Sequence, residues 1–135
     1  MAEFVMKDLV KKTGPSKQFQ IESAGTYAAG GPAYPPAKKK LTEYWIICKG
    51  KFSRQLVKAD YDQFDLLIST DNLYLVMMTH MFSSDLKDKL HLLLDYADHP
   101  RNIGNPWYTR DFETVWQDIK KGCGGLLHTF KRGLY

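Results

Sequence analysis

The stretch Phe64-Asp65-Leu66-Leu67-Ile68-Ser69-Thr70-Asp71 decides the fold of this 135-residue chain. Its apolar run lacks the alternation of a half-exposed strand, which is typical of a parallel strand buried on both faces, and predicts a strand over Gln63–Ile68. Asp71 then stands where a helix N-cap is expected, before an apolar helical pattern over residues 72–82. A buried strand that leads directly into a helix predicts an α/β fold.

The segments on either side continue this alternation of strand and helix. Apolar spacing predicts helices over residues 1–12, 37–44 and 112–130, and short apolar runs predict strands over Phe19–Ile21 and Leu90–Leu94. We therefore expect one domain, a doubly wound parallel sheet flanked by helices. Three glycines interrupt the last helix at about 1 kcal/mol each, and close packing of that helix against the sheet would explain them: Gly122, Gly124 and Gly125.

Composition excludes several classes of protein. With 44% hydrophobic and 25% charged residues the chain is ordinary globular material, and neither a membrane span nor a signal peptide is recognisable, so we expect a cytoplasmic protein without membrane attachment. The net charge of +4 is spread out, and the run Lys38–Lys40 is interpreted as a solvated helix face, so nucleic-acid binding is not expected. Cys48 and Cys123 form no pair motif, and the four histidines show no metal-ligand spacing, so we predict no disulfide, metal or cofactor.

Five segments occur in an order that points to a known family. They are Ile21–Thr26, with the letters SAGT; Pro35–Ala37, at the start of a helix; Phe52–Leu56, similar to an "ARQ" turn; Phe64–Asp71, similar to a strand ending in "MD"; and Asn105–Tyr108, similar to "DPWY". Together they resemble the low-molecular-weight protein tyrosine phosphatases over nearly the whole chain.

The resemblance implies a specific chemistry. In this family a Cys-x5-Arg-Ser/Thr loop between the first strand and the first helix holds phosphate on backbone N–H groups, lowers the thiol pKa and forms a phosphocysteine intermediate without a metal. The loop Arg stabilises the transition state, and an Asp of the "DP" loop protonates the leaving phenolate. Met1–Met6 resembles the residues that follow this loop. The resemblance therefore places the loop and the first strand upstream of Met1, and residues 1–135 are expected to form a truncated domain.

Two features bear on catalysis in the sequence as written. Asn105 stands at the general-acid position, and an amide has no titratable proton to donate. Cys48 and Arg54 form an internal Cys-x5-Arg match after an apolar run, which is the local context of a phosphate loop. Against this interpretation, Lys51 and Phe52 are bulky, no Ser or Thr follows the Arg, and the resemblance places the segment at an ordinary turn.

The resemblance also assigns substrate and support residues. Tyr27 lies in the loop that contacts the substrate ring, and Trp107 with Tyr108 would flank the pocket or form a partner-binding patch. Ser23 corresponds to a residue that supports the phosphate loop, although a Ser after a strand is also an ordinary turn former. Asp71 corresponds to an acidic residue below the loop, while helix capping accounts for it locally.

We therefore expect a member of this phosphatase family that acts on a phosphotyrosine protein or a small aryl phosphate, and that is impaired or inactive as written. The alternative is a non-catalytic binding or regulatory pseudophosphatase that uses Trp107, Tyr108 and Lys38–Lys40. Thiol-coupled arsenate reduction would need closely placed cysteines, which the chain does not supply by spacing. Loss of the first strand would expose strand edges, so self-association is also predicted.

Overall fold

The structure, a computed structural model, describes residues 2–13, 19–25, 35–46, 54–85, 87–97, 102–104 and 111–131. Helices and parallel strands alternate along the chain. In order they are α1 (Ala2–Thr13), α2 (Pro35–Glu43), α3 (Ala59–Gln63), β1 (Leu67–Ser69), α4 (Asn72–Met81), β2 (Leu90–Leu92), a 3-10 helix (Leu93–Tyr96) and α5 (Phe112–Lys131).

The strands β1 and β2 pair in parallel, with Leu67 opposite Leu90 and Ser69 opposite Leu92. Parallel neighbours need a crossover connection, and α4 provides it. Outside these two strands, Gly25 and Gln55 form an isolated parallel bridge. These pairings give the α/β architecture that the sequence predicts.

The sheet separates two hydrophobic clusters. Leu67 and Leu90 pack into the smaller cluster with Leu56 and Met78 of α4. The neighbouring Leu66 and Ile68 instead pack against the larger cluster, which α1 and α5 build. Because successive strand residues point to opposite faces, β1 is covered on both sides, as the predicted buried strand requires.

The helix α5 forms the centre of the larger cluster. Its apolar stripe buries Trp116 and Cys123 to 1% exposure each. The stripe packs against α1, where Val10 is buried, and against the 3-10 helix that follows β2. The Trp116 ring also stacks on Tyr44, with ring centroids 4.6 Å apart. The amphipathic pattern in the sequence therefore identifies the correct buried face of this helix.

Two of the three glycines in α5 permit its close approach to the 3-10 helix. A Cβ atom at Gly122 would lie 2.4 Å from Cγ of Leu93, and one at Gly125 would lie 1.8 Å from the carbonyl oxygen of Tyr96. A Cβ atom at Gly124 would meet nothing within 4 Å. Close packing thus accounts for Gly122 and Gly125, although the surface they meet is the 3-10 helix and not the sheet. It does not account for Gly124.

The predicted strands differ from the observed ones. The prediction of a strand over Phe19–Ile21 is wrong, because these residues belong to no strand and pair with none among the described residues. Gln63 belongs to α3, so β1 is shorter than predicted. β2 ends at Leu92, because the Asp95 carboxylate accepts a hydrogen bond from the Leu92 N–H at 3.0 Å and the chain turns into the 3-10 helix. The helix α2 begins two residues before the predicted start, at Pro35, where proline is tolerated.

Replacing Gly125 by Ala should destabilise the protein, since the added methyl group collides with a backbone oxygen that can move only with the 3-10 helix. We expect a loss of about 1–3 kcal/mol in the free energy of unfolding, measured by urea denaturation. Gly124→Ala is the matched control. It should stabilise α5 by about 1 kcal/mol, because the methyl group meets no neighbour and alanine favours helix. Equal effects of the two substitutions would contradict the close packing.

Candidate active site

Polar residues gather where β1 ends and α4 begins. Ser69 is buried, and its Oγ donates to the carbonyl oxygen of Asp71 at 2.9 Å and accepts from the Asp71 N–H at 3.2 Å. The Asp71 carboxylate accepts from the Leu73 N–H at 2.7 Å and caps α4. Asp71 therefore lies at the carboxyl end of a parallel strand, where ligands bind in open α/β sheets, and its side chain is occupied with helix capping.

The segment 102–104 is attached to the same edge. The Ile103 N–H donates to the carbonyl oxygen of Thr70 at 2.8 Å, and the Asn72 N–H donates to Oδ1 of Asn102 at 2.9 Å. Ile103 is buried in the larger cluster. The base of the loop that leads to Asn105 is thus fixed at the end of β1. Sequence reasoning missed Asn102, since nothing in its local sequence indicates a bond to a helix 30 residues away.

Ser23 lies against the first turn of α1. Its Oγ donates to Oε1 of Glu3 at 2.6 Å, and the Lys7 ammonium donates to Oε2 of the same carboxylate at 2.7 Å. The Glu3 side chain is 4% exposed, so a buried carboxylate joins Ser23 to the helix. Glu3 is not among the site residues predicted from the sequence. The available signal was an acidic residue in the first turn of a helix, where the helix dipole favours negative charge.

Arg54 is engaged in an ion pair. Its Nη1 lies 3.1 Å from both carboxylate oxygens of Asp60, and the Val57 N–H donates to the same carboxylate at 2.8 Å. The Gly25 N–H donates to the Arg54 carbonyl oxygen at 2.8 Å, and Gly25 pairs with Gln55 in a parallel bridge. Arg54 and Gln55 therefore lie beside Gly25. Arg54 precedes the bridge residue Gln55, and an acidic partner six residues along the chain holds its side chain.

The same contacts set the charge of Asp60. Burial acts to raise the pKa of this carboxyl, but the hydrogen bond from Val57 and the charge and hydrogen bonds of Arg54 outweigh burial and hold the pKa below its ordinary value of 3.8. Asp60 is therefore ionised at neutral pH.

Cys123 is chemically inert in this fold. It is a free thiol buried between α5 and the start of α1, with Sγ 3.8 Å from the Ala2 carbonyl oxygen. Burial raises its pKa to about 12. A thiol with this pKa carries almost no thiolate at neutral pH and is not a nucleophile.

The run Lys38–Lys40 is not a uniformly solvated face. Lys40 turns inward and pairs with Glu113 at the start of α5, and its side chain is 14% exposed. The other predicted site residues lie outside the described part of the chain. They are Tyr27, Cys48, Asn105, Trp107 and Tyr108. Their assigned roles stay predictions.

Within residues 2–131, as far as the structure covers them, no three metal-binding side chains come close enough together to hold an ion. Among the helices just described, none combines the length and the apolar character needed to cross a bilayer.

The parallel strand β1, with Ser69, Asp71 and the segment 102–104 at its carboxyl end, defines an α/β protein, and open α/β sheets in general bind ligands at this end of their strands. The family model of the low molecular weight phosphotyrosine protein phosphatases matches residues 1–134. The chain belongs to this family.

Individual relatives agree with that assignment. The low molecular weight protein-tyrosine-phosphatase YfkJ of Bacillus subtilis is 30% identical over 136 residues, which cover 98% of this chain and 87% of that protein. The YfkJ crystal structure matches with a TM-score of 0.92 at 29% identity, over 98% of this chain and 86% of that one. The phosphatase SP-PTP of Streptococcus pyogenes gives a TM-score of 0.82 at 31% identity, over 94% and 81% of the two chains.

The Asp60→Asn variant should lower the free energy of unfolding by about 1.5–3 kcal/mol near neutral pH, since charge-assisted hydrogen bonds are lost. A carboxylate with a lowered folded-state pKa stabilises the protein above its unfolded pKa, and this stabilisation disappears as the pH falls through the folded value. The difference between wild type and variant should therefore shrink below pH 3.8. Urea denaturation over this pH range measures it, and Asp62→Asn, at an exposed position of α3, is the control. A difference that does not depend on pH would contradict the ion pair.

In a Cys48→Ser background, Cys123 is the only thiol, and we expect it to resist alkylation in the native state. At about pH 8 its thiolate fraction should be lower than that of a free cysteine by at least on the order of a thousandfold. Iodoacetamide labelling followed by mass spectrometry should detect modification only after unfolding in urea. Rapid labelling of the folded protein would contradict the burial of this thiol.

Proposed function

We propose that this chain is a phosphotyrosine phosphatase scaffold directed at a phosphotyrosine protein or a small aryl phosphate, with hydrolytic activity that is impaired or absent in the sequence as written. The observation that carries the proposal is that Cys123 cannot supply a thiolate in this fold. Cys123 is buried and protonated, and the family reaction needs a thiolate. The only other thiol is Cys48, whose loop match is incomplete.

The pairing of Arg54 supports this proposal. To contact a phosphoryl group, the guanidinium would have to leave Asp60, whose side chain is 4% exposed. Because the Arg54 side chain is 37% exposed, losing this pair is expected to cost about 1.5–3 kcal/mol, the range for hydrogen bonds to a charged group, and not the larger penalty of a fully buried pair. A phosphate loop built from Cys48 and Arg54 would thus begin with an energetic disadvantage, which favours an ordinary turn for this segment.

Asn105, at the general-acid position, would slow the reaction even in a version of the chain that contains a thiolate nucleophile. Protonation of the leaving group by a positioned side chain contributes about 10²–10⁴ in rate, and Asn105 cannot donate a proton in this way. A proton donor and a thiolate nucleophile act on one reaction path, so the effects of losing both should not add.

A non-catalytic binding or regulatory role remains the second candidate. Trp107 and Tyr108 would then hold a phosphotyrosine side chain or a partner surface. The ion pair of Lys40 with Glu113 reduces the free charge of the Lys38–Lys40 run, so this alternative relies mainly on the aromatic pair.

The proposal extends to assembly and location. Among the described residues β1 pairs only with β2, and an open strand edge favours self-association. A free thiol at Cys123 is compatible with the reducing cytoplasm.

Hydrolysis of p-nitrophenyl phosphate by the purified chain tests the proposal. We expect a rate close to the uncatalysed one, which Cys48→Ser does not change. A version extended upstream by a strand and a Cys-x5-Arg-Ser loop should gain activity, and Asn105→Asp in that version should raise kcat further by about 10²–10⁴.

Two outcomes separate the alternatives. Measurable turnover by the original chain that Cys48→Ser abolishes would overturn the proposal and assign Cys48 as the nucleophile. Micromolar binding of a phosphotyrosine peptide without turnover, detected by calorimetry and weakened by Trp107→Ala, would favour the binding role.

A further inference from the structure

The outer edge of β2 carries two backbone donors that β1 does not use. Among the described residues β2 pairs with β1 alone, so no described strand lies along its other edge. The carbonyl oxygen of Lys89 accepts from the Leu67 N–H at 2.9 Å, so the backbone of Lys89 faces β1. Because the direction of the backbone groups alternates along a strand, Leu90 and Leu92 direct their N–H groups to the outer edge.

Both of these N–H groups already donate to carboxylates that lie on either side of the strand in sequence. The Leu90 N–H donates to Oδ2 of Asp85 at 3.1 Å, and the Leu92 N–H donates to Oδ2 of Asp95 at 3.0 Å. The Lys89 N–H donates to the other oxygen of Asp85 at 2.8 Å. A strand that adds to a sheet edge must bond its carbonyl oxygens to free N–H groups on that edge. β2 offers none at these two positions.

The charge of Asp85 strengthens this arrangement. Burial acts to raise the pKa of its carboxyl, but the hydrogen bonds from Tyr61, Lys89 and Leu90 outweigh burial and hold the pKa below its ordinary value of 3.8. Asp85 is therefore ionised at neutral pH, and an ionised carboxylate accepts hydrogen bonds but donates none. The carbonyl oxygens of an approaching strand would meet negative charge and no donor.

We propose that Asp85 and Asp95 block the outer edge of β2 against addition of the same strand from a second copy of this chain. A second β2 is the strand to be excluded, because Leu90–Leu94 is apolar except for His91, and such a run on an open edge is a template for strand pairing. The block also restricts self-association, since of the two described strands only the edge of β1 that faces away from β2 remains for it. The inference rests on the contacts of β2 and not on phosphatase activity.

Removing the two carboxylates should turn β2 into an association site. Asp95→Ala frees the Leu92 N–H, and Asp85→Ala in the same chain also frees the Leu90 N–H. Sedimentation velocity over about three decades of protein concentration measures the association, which follows mass action. We expect the double variant to associate at least tenfold more tightly than wild type, and Asp95→Ala alone to show a smaller increase. Amide hydrogen exchange at Leu90 and Leu92 should slow as the concentration of the double variant rises, and in wild type it should not depend on concentration.

Two variants serve as matched controls. Asp62→Ala removes the same charge from an exposed position of α3, outside β2 and its flanking residues. Tyr61→Phe removes the hydrogen bond of 2.7 Å that Asp85 accepts from Tyr61, and it leaves both blocking carboxylates in place. Both controls should associate like wild type, and circular dichroism should show that every variant is folded.

Three outcomes would overturn the inference. The first is a folded double variant that associates no more tightly than Asp62→Ala. The second is association that leaves the exchange at Leu90 and Leu92 unchanged, since assembly would then use another surface. The third is wild-type exchange at these two amides that slows with concentration. This last measurement and Asp95→Ala decide the question even if the double variant does not fold.

Discussion

The close contact between α5 and the 3-10 helix after β2 is the constraint on which the rest of the structure depends. Backbone meets backbone there, because Gly125 brings α5 within reach of the Tyr96 carbonyl. This approach fixes the position of Trp116 and Cys123 over the core, and α1 packs on the same face. The packing of α5 against the 3-10 helix, and with it the position of α1, thus depends on a close contact that a larger residue at position 125 could not preserve.

The elements that could be predicted are those specified by short-range pattern. The stripe of α5 and the N-cap at Asp71 follow from spacing within one or two turns, and the alternation of strand and helix is sufficient for the fold class. Strand ends could not be predicted in the same way. A strand extends only as far as its partner does, so Phe19–Ile21 has strand-like residues without a ladder. Similarly, β2 stops where the Asp95 side chain captures the Leu92 N–H.

The residues of the candidate site also differ in whether the sequence could indicate them. The resemblance assigns Ser23 and Asp71 to support of a phosphate loop, and these roles stay predictions; the structure places Ser23 against α1 and Asp71 at the end of β1. The sequence could not indicate Glu3 and Asn102, because each bonds to a group 20 or more residues away and such pairs leave no spacing signature. The partner of Arg54 is only six residues distant, yet it emerges only when the turn and α3 are in place.

The anchoring of residues 102–104 has a consequence for ligand recognition. The bonds from Ile103 to Thr70 and from Asn72 to Asn102 remove conformational freedom from residues 102–104, at the base of the loop that leads to Asn105. Ordering a segment during binding consumes part of the interaction energy. A molecule that reaches this loop would find its base preorganised, so more of its contact energy would appear as affinity.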